Sequence, residues 1–166
     1  MRRAPGRPLL VALTAGLILA GAGGCSRPFV SPILPPPFRD QIPAAYDATW
    51  RALIRALAYE NVPLRAVAKD SGVLASDEIL SPIGVYADCG RLGDVGLEGD
   101  AAVNFTVFVQ ANGQSSTDVQ VNAKMRTQNW RRGDSGKFKP EPVYPCVSTG
   151  RWEANLMDTL RRLVQE

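Results

Sequence analysis

The side chains with chemistry to offer are three cysteines, a scatter of carboxylates and a Ser-Thr pair, and no histidine accompanies them in the 166 residues. Without histidine, neither a Ser-His-Asp nor a Cys-His centre can be assembled. The commonest general base and metal ligand is missing as well. Glycoside hydrolysis needs only two carboxylates about 5–9 Å apart, and Asp94, Glu98 and Glu153 are the candidates. The first two stand among Gly93, Gly96 and Gly99, and Glu153 lies on a helix flank, so nothing in their spacing sets them across a cleft. Asp94, Glu98 and Asp100 lack the ligand order and closing glutamate of a calcium loop. Ser148-Thr149-Gly150 has the residues of a nucleophile, but capping a helix calls for the same types. No phosphate-cradling glycine motif is present, and Arg132-Gly133-Asp134 is too short to establish adhesion. The expectation is a protein that is not an enzyme, with no cofactor and no metal site.

The cysteines divide into one and two. Cys25 follows Arg2, Arg3 and Arg7, an apolar run from Leu9 to Ala20, and a string of small residues. That order describes a secretory signal peptide over residues 1–24. The apolar run is shorter than the roughly 20 residues a membrane span needs. Ala22-Gly23-Gly24-Cys25 resembles the lipobox of bacterial lipoproteins, with Ala22 where that family prefers Leu. The resemblance implies cleavage before Cys25, diacylation of its thiol and acylation of the new N-terminus. Several acyl chains anchor stably where a single one binds only marginally. Ser26 in place of Asp implies transfer to the outer membrane, with the chain held on the periplasmic side. Cys89 and Cys146 remain as an even pair in an oxidising compartment and are expected to form a disulfide. They are 57 positions apart, and closing a loop of that size contributes about 3–4 kcal/mol.

The formal charge of +3 belongs to the signal peptide, because residues 25–166 carry 16 basic and 16 acidic side chains. A neutral mature chain gives no electrostatic footprint for nucleic acid. Residues 25–166 suffice for one domain with its own core.

These residues must be held by a small set of elements. Residues 25–43 carry the lipid-bearing cysteine and a proline-rich stretch, with Pro28, Pro32, Pro35, Pro36, Pro37 and Pro43. Prolines so dense suit an extended, semi-rigid spacer. Residues 44–166 are read as a single α+β domain. Tyr46, Trp50, Leu53 and Leu57, widened by Ile54, predict a first helix over 44–60, ended by Asn61. Alternation predicts strands at about 63–69 and 73–80 around Asp70-Ser71-Gly72. Residues 81–100 read as irregular, with Val85, Tyr86 and Ala87 candidates for a brief pairing. The clearest strands are 102–110 and 115–127. Val103, Phe105, Val107 and Val109, then Val119, Val121, Ala123 and Met125, mark one buried face, with Asn112-Gly113 in the turn. Residues 128–147 read as a loop. Trp152, Leu156, Leu160 and Leu163 form the stripe of a last helix, capped by Ser148 or Thr149. A sheet with one wet face calls for helices on the other.

A helix of the form Tyr46-x-x-x-Trp50-x-x-Leu53-x-x-x-Leu57, two strands around Asp70-Ser71-Gly72, a hairpin, and Cys146-x-Ser148-Thr149-Gly150-x-x-Glu153 follow the lipobox and spacer. This arrangement resembles the small outer-membrane lipoproteins built on a domain like those of the BamC-type barrel-assembly lipoproteins. The resemblance implies a helix-grip-like fold: an antiparallel sheet packed on one face by N- and C-terminal helices. The expected function is a lipid-anchored periplasmic interaction or accessory module in envelope assembly or maintenance. Its expected partners are outer-membrane lipid through Cys25 and an envelope protein. The alternative is a carrier for a small apolar or envelope ligand, with Trp50, Phe105 and Trp152 lining a pocket or simply forming the core.

Overall fold

The computed structural model of the protein describes residues 27–132 and 135–166. The expected signal peptide and Cys25 lie outside the described residues. The fold is α+β, with an antiparallel sheet covered on one face by two helices in a helix-grip-like arrangement.

The centre of the sheet is the predicted hairpin, β9 (Asp100–Ala111) and β10 (Thr117–Thr127), in register from Ala102↔Arg126 to Ala111↔Thr117. Val103, Phe105, Val107 and Val109 are buried, as are Val119, Val121 and Met125, while Gln110, Asp118, Asn122, Lys124 and Arg126 are exposed. Each central strand has two neighbours on its far side, placed end to end. Beyond β9 lie β4 (Val73–Ser76) and β5 (Ile79–Pro82). Beyond β10 lie β2 (Phe38–Ile42) and β13 (Tyr144–Ser148). β3 (Leu64–Ala68) continues the sheet outside β4, and β6 (Ala87–Asp88) continues it outside β13.

Two smaller ribbons stand apart. β1 (Phe29–Val30), β7 (Arg91–Leu92) and β8 (Val95–Gly96) form a three-stranded sheet. Among the described residues, β11 (Trp130–Arg132) pairs only with β12 (Phe138–Pro140).

Helix α1 (Tyr46–Tyr59) buries Thr49, Trp50, Ala52, Leu53, Ala56 and Leu57. Its end is built as the sequence predicts. Asn61 takes the left-handed conformation at φ 53°, and its N–H donates to the Ala58 carbonyl at 3.1 Å. The Val62 N–H reaches back to the Leu57 carbonyl at 3.0 Å. These two bonds satisfy carbonyls that the helix end would otherwise leave free. At the other end, Asp47 pairs with Lys69 at 2.7 Å. Hydrogen bonding to Lys69, and the charge of that ammonium, hold the Asp47 carboxyl below the usual aspartate range. Tyr46 donates its hydroxyl to the Lys69 carbonyl, and burial pushes its phenol above the ordinary range.

Helix α2 (Arg151–Gln165) buries Trp152, Glu153, Leu156, Met157, Leu160 and Leu163. Its Trp152 ring stacks on Phe105 of β9, with centroids 3.5 Å apart and planes 15° from parallel. The two helices pack against each other. Arg161 of α2 forms an ion pair with Asp40 of β2.

Four expectations need correction. The proline-rich stretch is more than a spacer, because its residues Phe38–Ile42 are an edge strand of the main sheet and Phe29–Val30 pair with β7. The strand expected over 73–80 is broken at Asp77-Glu78, so its halves pair with different segments of β9. Residues 128–147 are not one loop: they hold β11, β12 and the start of β13, which pairs with Thr127 through Met125. The N-cap of α2 is Gly150 at φ 80°, not Ser148 or Thr149. An L side chain is strained at that φ, so Gly150 makes the turn, and Ser148 acts from two residues upstream.

Candidate functional site

Trp50, Phe105 and Trp152 are 6%, 2% and 3% exposed and belong to one buried cluster. Phe105 and Trp152 lie face to face, and Trp50 stacks with Tyr46 at 6.0 Å. None of the three lines the main surface grooves. Cys89 and Cys146 are disulfide-bonded and buried, tying the segment after β6 to β13. The three candidate carboxylates do not converge. Asp94 lies in the β7–β8 turn, Glu98 lines a groove with Arg27, and Glu153 lines a different groove at the start of α2. Among the described residues, no three metal-ligating side chains come together, and no helix is long and apolar enough to cross a membrane.

The groove containing Glu153 is the site that the fold constructs. It holds about 550 Å³ between Leu34–Phe38 on one side and Ser148–Gly150 on the other, with Val121, Asn122 and Ala123 at its base. Its origin can be traced residue by residue. Along β9, the N–H groups of Phe105 and Val109 point away from β10. The first donates to Ser76 Oγ at 2.8 Å and the second to the Gly72 carbonyl at 2.8 Å. Phe105 lies opposite Ala123. In an antiparallel ladder, such a pair exchanges no hydrogen bonds, so the Ala123 N–H and C=O both point outward from β9. There they meet no strand. The β2 pairing ends at Val121↔Phe38, and the β13 pairing begins at Met125↔Cys146.

Both interruptions are written in the sequence. Continuing β2 by two residues would set Pro36 opposite Ala123, and proline has no N–H to give. Pro35, Pro36 and Pro37 therefore stop the strand. Continuing β13 would bring Ser148 into that place, but the chain turns off there through Gly150 into α2. The Ser148 hydroxyl accepts the Gly150 N–H at 3.0 Å and donates to Glu153 Oε2 at 2.8 Å.

The chemistry of the groove is dominated by acceptors. Thr149 is committed elsewhere: its N–H donates to the Tyr86 carbonyl at 3.0 Å and its hydroxyl to the Val85 carbonyl at 2.9 Å. The three prolines contribute carbonyls and no N–H. Glu153 is 3% exposed, yet its Oε1 takes no hydrogen bond among the described residues. Every fully enclosed side-chain oxygen or nitrogen among them is bonded, so Oε1 opens toward the groove its residue lines. Arg39 at the rim turns its Nε to Gln120 Oε1 at 2.9 Å, toward the polar face of the sheet. That face is already knit together. Gln120 donates to Asn122 at 2.8 Å, and Gln41 and Asn112 both donate to Asp118 at 3.1 Å. Among the described residues, the groove is thus the place where the Ala123 main chain faces no paired strand and Glu153 Oε1 takes no hydrogen bond.

Sequence patterns singled out the triple proline and Glu153 separately but not their meeting. The signal was present in the spacing: Pro36 falls where a strand paired with β10 would need a donor.

Compared with protein-family models and with curated proteins, the chain matches none.

Proposed function

We propose that the protein is a non-enzymatic interaction module of the bacterial envelope. It is anchored by acyl chains on Cys25 in the periplasmic leaflet of the outer membrane, and it holds a short extended segment of an envelope protein in the groove beside Ala123. The observation that carries this reading is the interrupted edge of β10. A peptide laid there exchanges two main-chain hydrogen bonds with Ala123, the bonds that strand addition uses. A lysine or arginine on that peptide meets Glu153 Oε1, since a buried carboxylate with a free oxygen favours a charged donor. Leu34, 79% exposed, offers apolar contact in the groove lining. The lipobox, and the resemblance to BamC-type accessory lipoproteins, support the envelope setting and a role in its assembly or maintenance.

The test has two parts. Acylation is read by palmitate labelling and membrane fractionation of the wild type and Cys25→Ala; an unlabelled wild type with a free Cys25 thiol rejects the anchor. The groove is read by NMR titration with a lysine-containing tripeptide. Shifts confined to Ala123 and Ser148–Glu153, and lost in a folded Glu153→Gln variant, support it. Shifts elsewhere, or shifts indifferent to Glu153, reject it. A photocrosslinker at exposed Thr149 should then yield one envelope-protein adduct that the same peptide competes away.

A further inference from the structure

The β11–β12 ribbon belongs to no other sheet and its exposed side chains have a distinctive chemistry. Trp130 lies opposite Pro140, and Arg132 lies opposite Phe138. Residues two apart on a strand, and residues directly opposite across a pair, share one face. Trp130, Phe138 and Pro140 therefore form an apolar face together with Arg132. Trp130 and Phe138 are 61% and 68% exposed, and neither joins the buried cluster. Lys137 and Lys139 are exposed and alternate to the ribbon's other face, from which their long stems carry the ammonium groups back to the level of the headgroups, and the Arg132 Nε donates to the Gly136 carbonyl at 3.3 Å. Aromatic rings flanked by lysine and arginine suit the boundary between lipid headgroups and acyl chains.

The position of the ribbon fits that chemistry. Its base is closed by Asn129 and Glu141, joined by a 2.7 Å hydrogen bond from the Glu141 N–H to the Asn129 carbonyl. Both residues line one groove with Arg27, Val95 and Tyr144. Arg27 is the first described residue, and Cys25 is two positions before it. Two residues span at most about 7 Å. Acyl chains on Cys25 would therefore enter the bilayer within reach of the ribbon's base.

We infer that the β11–β12 ribbon is a second membrane contact, in which Trp130 and Phe138 enter the interface of an anionic lipid surface and Lys137 and Lys139 pair with its headgroups. The inference rests on the Cys25 reading for its orientation alone. A single lipid tether leaves a domain free to tumble; the ribbon fixes which side faces the membrane.

The experiment uses the intact protein purified from its host, with the acylation state of Cys25 read by mass. Trp130 is the solvent-exposed tryptophan, since Trp50 and Trp152 are buried, so acrylamide quenching reports on it. Adding phosphatidylglycerol vesicles should shield Trp130, and phosphatidylcholine vesicles should shield it much less. Lys137→Gln with Lys139→Gln should weaken the phosphatidylglycerol effect roughly 25-fold, at about fivefold per charge removed. Trp130→Phe should remove the quenchable signal while leaving the melting temperature in place. Shielding in a protein whose Cys25 is bare upholds the ribbon and rejects the anchor. An acylated protein whose Trp130 stays fully quenchable on vesicles overturns the ribbon and leaves the anchor standing. Shielding that persists without lipid and follows a co-purifying protein also overturns it, in favour of a protein contact.

Discussion

The hydroxyl of Ser76 accepts the main-chain N–H of Phe105 at 2.8 Å, in the buried interior and across 29 positions of sequence. It stands where the sheet would otherwise fail, because β4 ends at Ser76 and β5 begins only at Ile79. Phe105 faces that gap with a buried donor, and a serine side chain takes the part of the missing strand carbonyl.

Ser76→Ala should therefore cost about 1–3 kcal/mol, the penalty for orphaning a buried donor. Urea titration measures it, and a change below about 0.5 kcal/mol, the usual range for surface substitutions, would reject this account. Hydrogen exchange at the Phe105 amide should accelerate in the same variant.

Gly72 should tolerate no side chain. It sits at φ 66°, its carbonyl accepts the Val109 N–H at 2.8 Å, and a Cβ there would collide with the Val109 carbonyl. Gly72→Ala is expected to destabilise by more than about 1 kcal/mol, since alanine is strained at positive φ. A melting curve unchanged from the wild type would count against it.

Replacing both Cys89 and Cys146 by serine opens the 57-residue loop. The expected loss is about 2–5 kcal/mol, which corresponds to roughly 2–4 °C of melting temperature for each kcal/mol in a domain of this size. Non-reducing peptide mapping should recover the linked pair from the wild type, and two free thiols in protein isolated under oxidising conditions would refute it.

Pro36→Ala tests the origin of the groove without touching Glu153. The new amide at position 36 faces the Ala123 carbonyl, so β2 should lengthen and the groove should close. Slow hydrogen exchange at position 36, unimpaired stability and a loss of lysine-peptide binding are expected together. An amide there that exchanges at the rate of an exposed loop would show that the prolines do not set the end of β2.

The hairpin and helices were legible because their signals are local. Val103 to Val109 alternate, Trp152 to Leu163 recur at helical spacing, and Asn61 marks a helix end. The groove was illegible because it depends on pairings between distant segments. Nothing near Phe38–Ile42 announces a partner at Thr117–Val121, and Pro35, Pro36 and Pro37 just before it argue for a semi-rigid spacer. The break at Asp77-Glu78 was hidden for a related reason. Strand-forming residues stand on both sides of it, Val73-Leu74-Ala75 and Ile79-Leu80, and only the buried polar Ser76 hints that a hydrogen bond must be supplied there. Residues 128–147 looked like a loop because the ribbon's aromatic residues face outward, against the expectation that exposed strands hide their apolar side.

The order in which the N-terminal strands attach has a mechanical consequence. β1 is held by two residue pairs to β7, while β2 is held by five to β10 and by the Asp40–Arg161 ion pair. Tension applied at the N-terminal end peels β1 first, like the flap of an envelope, and leaves the main sheet unloaded. The stretch Ser31–Pro37 then spans at most about 25 Å when taut, at about 3.3–3.6 Å per residue. Only when it is taut does the pull reach β2, with its five residue pairs and its ion pair. A load at the N-terminal end is thus met by the small ribbon and the proline stretch before it reaches the core.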